Sequence, residues 1–172
     1  MEMILRKAIK QDLEEIVSLY QEAIAHMIKN NIFQWDEIYP NAEVLEEDIE
    51  REEMYVLEDG NRIASCIVIN EEQDELYQTG SWRYTKGRMA VIHRLCVKPK
   101  AQGHGTGKKM IQLAEELIYH LGYDIIRLDT FSQNLKARHL YEVFGYTYAG
   151  EVTFRKGLFY LMEKALQNNP QI

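Results

Sequence analysis

Residues 88–110 read RMAVIHRLCVKPKAQGHGTGKKM, and the prediction of the fold starts from this segment. Its first half, Arg88 to Lys98, is the longest strand candidate in the chain. Pro99 ends that strand, and the glycine-rich turn Gln102–Gly107 leads into a segment of helical apolar spacing that stops at Gly122. The stretch therefore predicts a strand, a turn and a helix in direct succession.

The segment that follows, Ile125 to Phe131, is another strand candidate. Two strands joined by one helix pack in parallel through a right-handed crossover. With the flanking elements, the order predicts an α/β (α+β) fold: a mixed, mostly antiparallel, seven-stranded twisted sheet with helices on both faces. The other predicted strands are Met3–Ala8, Met54–Leu57, Arg62–Ile69, Tyr146–Phe154 and Leu158–Glu163. The other predicted helices are one with Asp12 as its N-cap, one with Asn41 as its N-cap, and one over Asn134 to Phe144.

The length and composition bound the domain organisation. A chain of 172 residues fits one ordinary domain, and 46% hydrophobic residues exclude a disordered chain. The pattern shows no internal repeat and no linker. We therefore expect a single domain over residues 1–172, with its core in residues 3–164.

Charge and cysteine use exclude several classes of function. The formal net charge of −7 opposes nucleic-acid binding. The apolar run at the amino terminus is too short for a signal peptide, because charged residues interrupt it early. No apolar run approaches the length of a membrane span. We therefore expect a cytoplasmic protein without a membrane partner. Cys66 and Cys96 lie in apolar runs and read as core residues, and no metal site is expected.

The turn Gln102–Gly107 has the character of a phosphate cradle. It follows a strand and opens a helix, so its backbone N–H groups converge at the positive end of the helix dipole. Glycines at alternate positions let the main chain approach an anion closely, and Lys108 adds charge. Neither the Rossmann fingerprint nor the P-loop fits the spacing. A plain glycine-rich turn is the alternative interpretation.

Two motifs resemble those of the GNAT N-acetyltransferase superfamily. Gln102-x-x-Gly105-x-Gly107, after a strand that ends Leu95-Cys-Val-Lys-Pro99, resembles the Q/R-x-x-G-x-G/A pyrophosphate motif of that family. Residues 134–146, NLKARHLYEVFGY, are similar to its N-x-x-A-x-x-L-Y-E-x-x-G-F/Y segment. The resemblance covers nearly the whole chain and is weakest over Ile32 to Gly87.

The resemblance implies acetyl-CoA as co-substrate, without a metal. The main chain that pairs with pantetheine would be that of Leu95, Cys96 and Val97, and the pyrophosphate turn would be Gln102, Gly103, His104, Gly105, Thr106, Gly107 and Lys108. Asn134, Ala137 and Tyr141 would also contact the coenzyme. Tyr141 matches the tyrosine that protonates the departing thiolate, although packing of a core aromatic explains the same residue.

Acetyl transfer to an amine needs a route for the surplus proton. His93 is a candidate base because its ordinary pKa suits neutral pH, and a buried structural histidine is its alternative. Asp129 matches the position of a catalytic glutamate in some family members, and a loop cap is its alternative. Glu71 and Glu72 are third choices. A water chain without a single base is also compatible with the family.

In the family, the acceptor wall comes from segments that carry Trp35, Tyr39, Glu71 and Trp82 here. Aromatic rings and carboxylates would suit a cationic amine, whereas the aromatics would alternatively pin a long loop to the core. We expect an N-acetyltransferase acting by direct attack of a primary amine of a small molecule, amino acid or peptide on the thioester. The alternative is a non-catalytic acetyl-CoA sensor or partner module. A homodimer is left open.

Overall fold

The computed structural model describes residues 2–167, 169 and 171. Seven strands and four α-helices occur in this part of the chain. In chain order they are β1 Met3–Lys7, α1 Leu13–Lys29, α2 Ala42–Glu50, β2 Met54–Asp59, β3 Arg62–Asn70, β4 Met89–Val97, α3 Thr106–His120, β5 Ile125–Phe131, α4 Leu135–Val143, β6 Thr147–Phe154 and β7 Gly157–Ala165.

The strands form one seven-stranded sheet in the order β1-β2-β3-β4-β5-β7-β6. The pairs β1–β2, β2–β3, β5–β7 and β6–β7 are antiparallel. β4 and β5 are parallel, with Met89 opposite Ile125, as a right-handed crossover through α3 requires. The predicted mixed, mostly antiparallel sheet flanked by helices is therefore confirmed.

Residue contacts divide the chain into two compact units. The first contains the residues up to Ile69 together with Arg94–Ala114. In it, α1 buries Ile16, Leu19, Tyr20 and Ala23, which recur at helical spacing and therefore share one face. They belong to a cluster with buried residues of β2 and β3, namely Met54, Val56, Ile63, Cys66 and Val68. Each such side chain contributes about 1.5–3 kcal/mol by leaving water.

The second unit contains residues 70–93 and 115–172. β5 lies at its centre, with Ile125, Ile126 and Leu128 buried, and it pairs with β7 along its whole length. A single domain over residues 1–172 stays a prediction, and its end residues 1 and 172 lie outside the described residues.

The polar stretch between β3 and β4 contains a short 3-10 helix, Glu75–Thr79, which the sequence pattern does not predict. The end of this stretch is held by Glu163 of β7. The Glu163 carboxylate accepts hydrogen bonds from the backbone N–H groups of Arg83 and Tyr84, at 2.8 and 2.9 Å. A buried carboxylate thus satisfies backbone donors in a segment that has no regular structure.

Helix capping follows the prediction at one helix and departs from it at another. Asn41 caps α2, since its side-chain oxygen accepts from the N–H of Val44 at 3.0 Å. Asp12 precedes α1 but makes no side-chain cap bond. Its carboxylate binds the Arg6 guanidinium at 2.8 and 2.9 Å and the N–H of Ile9 at 2.8 Å. The predicted Asp12 cap of α1 is wrong because Asp12 ends a short 3-10 helix, Lys10–Asp12, with helical backbone angles, and its carboxylate bonds back to the N–H at the start of that helix.

Candidate active site

In the first unit, β4 runs through a short 3-10 helix, Pro99–Ala101, into the glycine turn. Gly103 and Gly105 have φ of 79° and 80°, in the left-handed region that glycine adopts without strain. The N–H of Lys109 closes the first helical turn on the carbonyl of Gly105, at 3.0 Å. The helix N-terminus therefore points its first N–H groups, those of residues 106–108, at the turn.

The turn has room for an anion. A Cβ built on Gly103 or Gly105 would meet no heavy atom within 4 Å. Thr106 is buried and anchors the start of α3, whereas Lys108 is exposed. Gln102 is tied back to β4, because its side-chain amide donates to the carbonyl of Val97 at 3.2 Å. Convergent N–H groups, a helix N-terminus and a lysine form the donor set that a pyrophosphate requires.

The strand segment before the turn is held from one side. Ser65 donates its hydroxyl to the carbonyl of Cys96 at 2.8 Å, and the N–H of Lys98 donates to the carbonyl of Ala64 at 2.8 Å. Leu95 and Val97 are half-buried. Burial raises the pKa of the Cys96 thiol, which therefore stays protonated. Cys96 is a core residue, as predicted, and not a nucleophile.

The predicted acceptor aromatics of this unit differ in exposure. Trp35 is buried and its ring lies 5.6 Å from that of Tyr20, so it anchors the segment between α1 and α2 to the core. Tyr39 is 37% exposed. Its hydroxyl accepts a hydrogen bond from Nη1 of Arg94 at 2.7 Å. Of the two side chains, Tyr39 is the one that a ligand could reach.

In the second unit, β4 and β5 pair over only three residues each, Met89–Val91 and Ile125–Arg127. Both strands continue past these pairs. His93 and Asp129 lie in the continuing parts, two residues beyond the last pair. The two candidate bases thus lie where the pairing has ended.

His93 is held by Asn70. Its Nε2 lies 2.7 Å from Oδ1 of Asn70, and the same Oδ1 accepts the N–H of Glu72 at 2.9 Å. Because that atom accepts from a backbone donor it is oxygen, so Nε2 of His93 donates to it. The lone pair of the neutral imidazole is then on Nδ1. Any proton that His93 takes up must arrive at Nδ1.

Asp129 is held by Tyr77. The Tyr77 hydroxyl donates to Oδ2 of Asp129 at 2.6 Å, and the Tyr77 side chain is only 2% exposed. Burial and the Asp129 charge raise the pKa of Tyr77, so the hydroxyl keeps its proton and remains a donor. The sequence places Tyr77 among the aromatic residues of the acceptor segments but does not predict its contact with Asp129. Its signal was an aromatic isolated in a polar stretch, with no local pattern to single it out.

Trp82 supports Tyr77. Its indole N–H donates to the carbonyl of Tyr77 at 2.6 Å, and the two rings lie 5.6 Å apart. On its other side, the Arg127 guanidinium lies 4.1 Å from the Trp82 ring. Trp82 therefore packs within the unit, and its contacts position the Tyr77 side chain that faces Asp129.

Tyr141 lies on α4 and is 5% exposed, with its ring 5.6 Å from that of Tyr146. Burial raises the pKa of Tyr141, and the negative charge of Asp129 raises it further. Tyr141 is therefore protonated at neutral pH. At the start of the same helix, the Asn134 side chain accepts from the N–H of Ala137 at 3.2 Å and caps α4.

Glu71 lies on the surface. It accepts a hydrogen bond from the Tyr123 hydroxyl at 2.7 Å and lies 3.3 Å from the Arg88 guanidinium. These partners, Tyr123 first, lower the pKa of Glu71, so the carboxylate is charged at neutral pH. Such a group can attract a cation but is a weak base.

The structure also bears on metals and membranes. Residues 2–167, 169 and 171 contain no cluster of three or more histidine, cysteine or acidic side chains able to hold a metal ion. Within the same residues, no helix combines the length and the apolar character needed to cross a membrane.

Comparisons with known proteins agree with this architecture. The model of the acetyltransferase (GNAT) family matches residues 10–146. A GNAT-family acetyltransferase from Streptococcus agalactiae superimposes with a TM-score of 0.85 at 24% identity, over 96% of each chain. The PaiA N-acetyltransferase from Thermoplasma acidophilum, solved with coenzyme A, gives 0.73 at 19% identity, over 96% of this chain and 100% of that one. YncA from Salmonella typhimurium, solved with acetyl-CoA, gives a TM-score of 0.71 at 18% identity, over 98% of this chain and 96% of that one.

At these identities the structural likenesses show the fold alone. A comparison with curated protein sequences found no significant match.

Proposed function

The chain belongs to the acetyltransferase (GNAT) family, and on that premise we propose that it transfers the acetyl group of acetyl-CoA to a primary amine. The acceptor is an amine of a small molecule, an amino acid or a peptide. The observation that carries the proposal is the glycine turn before α3, where open space, backbone donors and a helix N-terminus coincide. The PaiA and YncA structures, which hold coenzyme A and acetyl-CoA, support the same donor.

The residues of the turn fit the coenzyme. The backbone of residues 102–108 and the Lys108 ammonium would bind its pyrophosphate, with the main chain of Leu95–Val97 beside the pantetheine arm. Asn134 and Ala137 are further contacts. Acetyl-CoA supplies an activated thioester carbonyl, which a neutral amine attacks directly.

The remaining chemistry is proton transfer. We assign removal of the amine proton to Asp129 or to Nδ1 of His93, the two groups beyond the end of the β4–β5 ladder. The Tyr77 hydroxyl orients the Asp129 carboxylate. Tyr141, which its surroundings keep protonated, donates to the departing thiolate.

The acceptor side is proposed from exposure and charge. In the first unit Tyr39 offers an accessible ring, and in the second unit Glu71 offers an ionised carboxylate; either group would attract a protonated amine. Trp35 and Trp82 contribute to the wall by holding the segments that carry it.

The test measures turnover. Purified protein with acetyl-CoA is incubated with polyamines, amino acids, aminoglycosides and short peptides, and release of free thiol is followed. We expect thiol and acetylated amine, identified by mass spectrometry, in equal amounts with at least one acceptor class. Binding of acetyl-CoA by calorimetry, with no thiol released by any amine, would contradict catalysis and favour the sensor.

A further inference from the structure

Arg94 adopts an unusual backbone conformation inside a strand. Its φ is 50°, in the left-handed region, one residue before Leu95 in β4. An arginine does not adopt this conformation without support, because its Cβ crowds the backbone there. A single left-handed residue also turns a strand and re-aims the groups that follow. Surrounding contacts must hold Arg94 in place.

Those contacts are buried and directional. The Arg94 guanidinium binds the Asp48 carboxylate of α2 through Nε and Nη2, at 2.8 and 2.6 Å. The two side chains are 14% and 6% exposed. The hydroxyl of buried Tyr20, from α1, donates to the Arg94 carbonyl at 2.5 Å. Both the side chain and the main chain of Arg94 are therefore fixed from the helices.

The third arm of the guanidinium reaches a different segment. Nη1 donates to the Tyr39 hydroxyl at 2.7 Å. Tyr39 belongs to residues 32–40, the segment between α1 and α2, which contains no regular helix or strand. The Asp36 side chain accepts the N–H of Tyr39 at 3.1 Å and closes a turn within the segment. The guanidinium of Arg94 in β4 is thus hydrogen-bonded both to α2 and to residues 32–40.

We propose that Arg94 is a positioning residue that sets the conformation of residues 32–40 through Tyr39, and so determines how tightly the acceptor amine binds. The inference rests on the proposed function, in which Tyr39 belongs to the acceptor wall. The planar guanidinium presents donors in three fixed directions, two to Asp48 and one to Tyr39. A lysine offers a single mobile ammonium and cannot hold all three.

The decisive variant is Tyr39→Phe, which removes the hydroxyl and keeps the ring. We expect the KM for the amine to rise about threefold to tenfold, the loss of one hydrogen bond to a charged group at a partly exposed site. The kcat, the acetyl-CoA dissociation constant and the thermal midpoint stay at the parent values. Arg94→Lys should raise the amine KM at least as much. Arg51→Lys, which alters an exposed pair with Glu47 on α2, is the matched control and leaves the KM unchanged.

A second measurement does not depend on turnover. Hydrogen exchange of the amides in residues 32–40 should be faster in Tyr39→Phe than in the parent and unchanged in Arg51→Lys. If no amine is acetylated by the parent protein, the proposed function fails, and faster exchange still supports the positioning role. A folded Tyr39→Phe protein with parental exchange in residues 32–40 would overturn the inference, as would a parental amine KM in a protein that turns over.

Discussion

Replacing Tyr77 with Phe removes one hydroxyl and leaves a buried ring in place. In the structure that hydroxyl donates to Asp129 at 2.6 Å. A donor to a carboxylate stabilises its ionised form, so its removal favours the protonated form. If Asp129 takes the amine proton, it can do so only when it is ionised. In the variant Asp129 ionises at a higher pH, so activity also begins at a higher pH. The acidic limb of the kcat/KM profile should move toward higher pH.

The size of this shift of the acidic limb follows from the strength of the Tyr77–Asp129 hydrogen bond. A hydrogen bond to a charged group contributes about 1.5–3 kcal/mol, and 1.36 kcal/mol corresponds to about one pH unit. Asp129 is half-buried, and solvent replaces part of the lost bond. We therefore expect a displacement of about one unit. The assay is thiol release at subsaturating amine over the pH range in which the protein remains folded, with the thermal midpoint as a check.

Tyr123→Phe is a matched control. Tyr123 also donates to a carboxylate, that of Glu71, at 2.7 Å, but this pair lies on the surface. We expect its profile to match the parent. A limb that moves in Tyr123→Phe and stays in Tyr77→Phe would assign the proton to Glu71. A limb that is parental in Tyr77→Phe and vanishes in His93→Gln would assign it to His93, and would refute the role given to Tyr77.

Three further predictions concern other parts of the molecule. Tyr141→Phe should lower kcat by about 10²- to 10⁴-fold with little change in the KM for acetyl-CoA, because a general acid acts as thiolate charge develops; parental turnover would return Tyr141 to core packing. The Arg6 bond lowers the pKa of Asp12, so this carboxylate stabilises the fold above its ordinary pKa and loses that effect as pH falls through the lowered one. Asp12→Asn should therefore cost about 1 kcal/mol at pH 7 and less in acid, by denaturant unfolding. Asn41→Ala should cost about 1 kcal/mol by the same method, through loss of the α2 cap.

The sequence predicted elements whose signals are local. β5 was predicted with its observed bounds, because an apolar run lies between Gly122 and the polar residues after Phe131. The unit of β4, turn and α3 was equally clear, since Pro99 and the glycines mark its boundaries. The acetyl-CoA and acceptor residues remain proposals.

Other features depend on partners that are distant in the chain. Tyr77 and Asp129 are 52 residues apart, and no spacing in the sequence connects them. The 3-10 helix that carries Tyr77 lies in a polar stretch without periodicity. No sequence pattern predicted the left-handed backbone conformation of Arg94 either, because that conformation is normally expected at a glycine. Asp12 was predicted as a cap because it is an aspartate directly before the helical apolar spacing, and its contacts with Arg6 and Ile9 form only in the folded chain.

Calorimetric titration of acetyl-CoA into Gly105→Val tests the central claim most directly. Gly145→Val is the matched control, because Gly145 has φ of 88° and its added Cβ would come no closer than 4.0 Å to a neighbouring atom. Both variants carry the same backbone strain, and only the first places a branched side chain in the proposed phosphate cradle. We predict about 100-fold weaker binding for Gly105→Val, or about 2.7 kcal/mol, within the range of one lost hydrogen bond to a charged group, and parental binding for Gly145→Val. Parental acetyl-CoA affinity in a folded Gly105→Val protein would contradict the account.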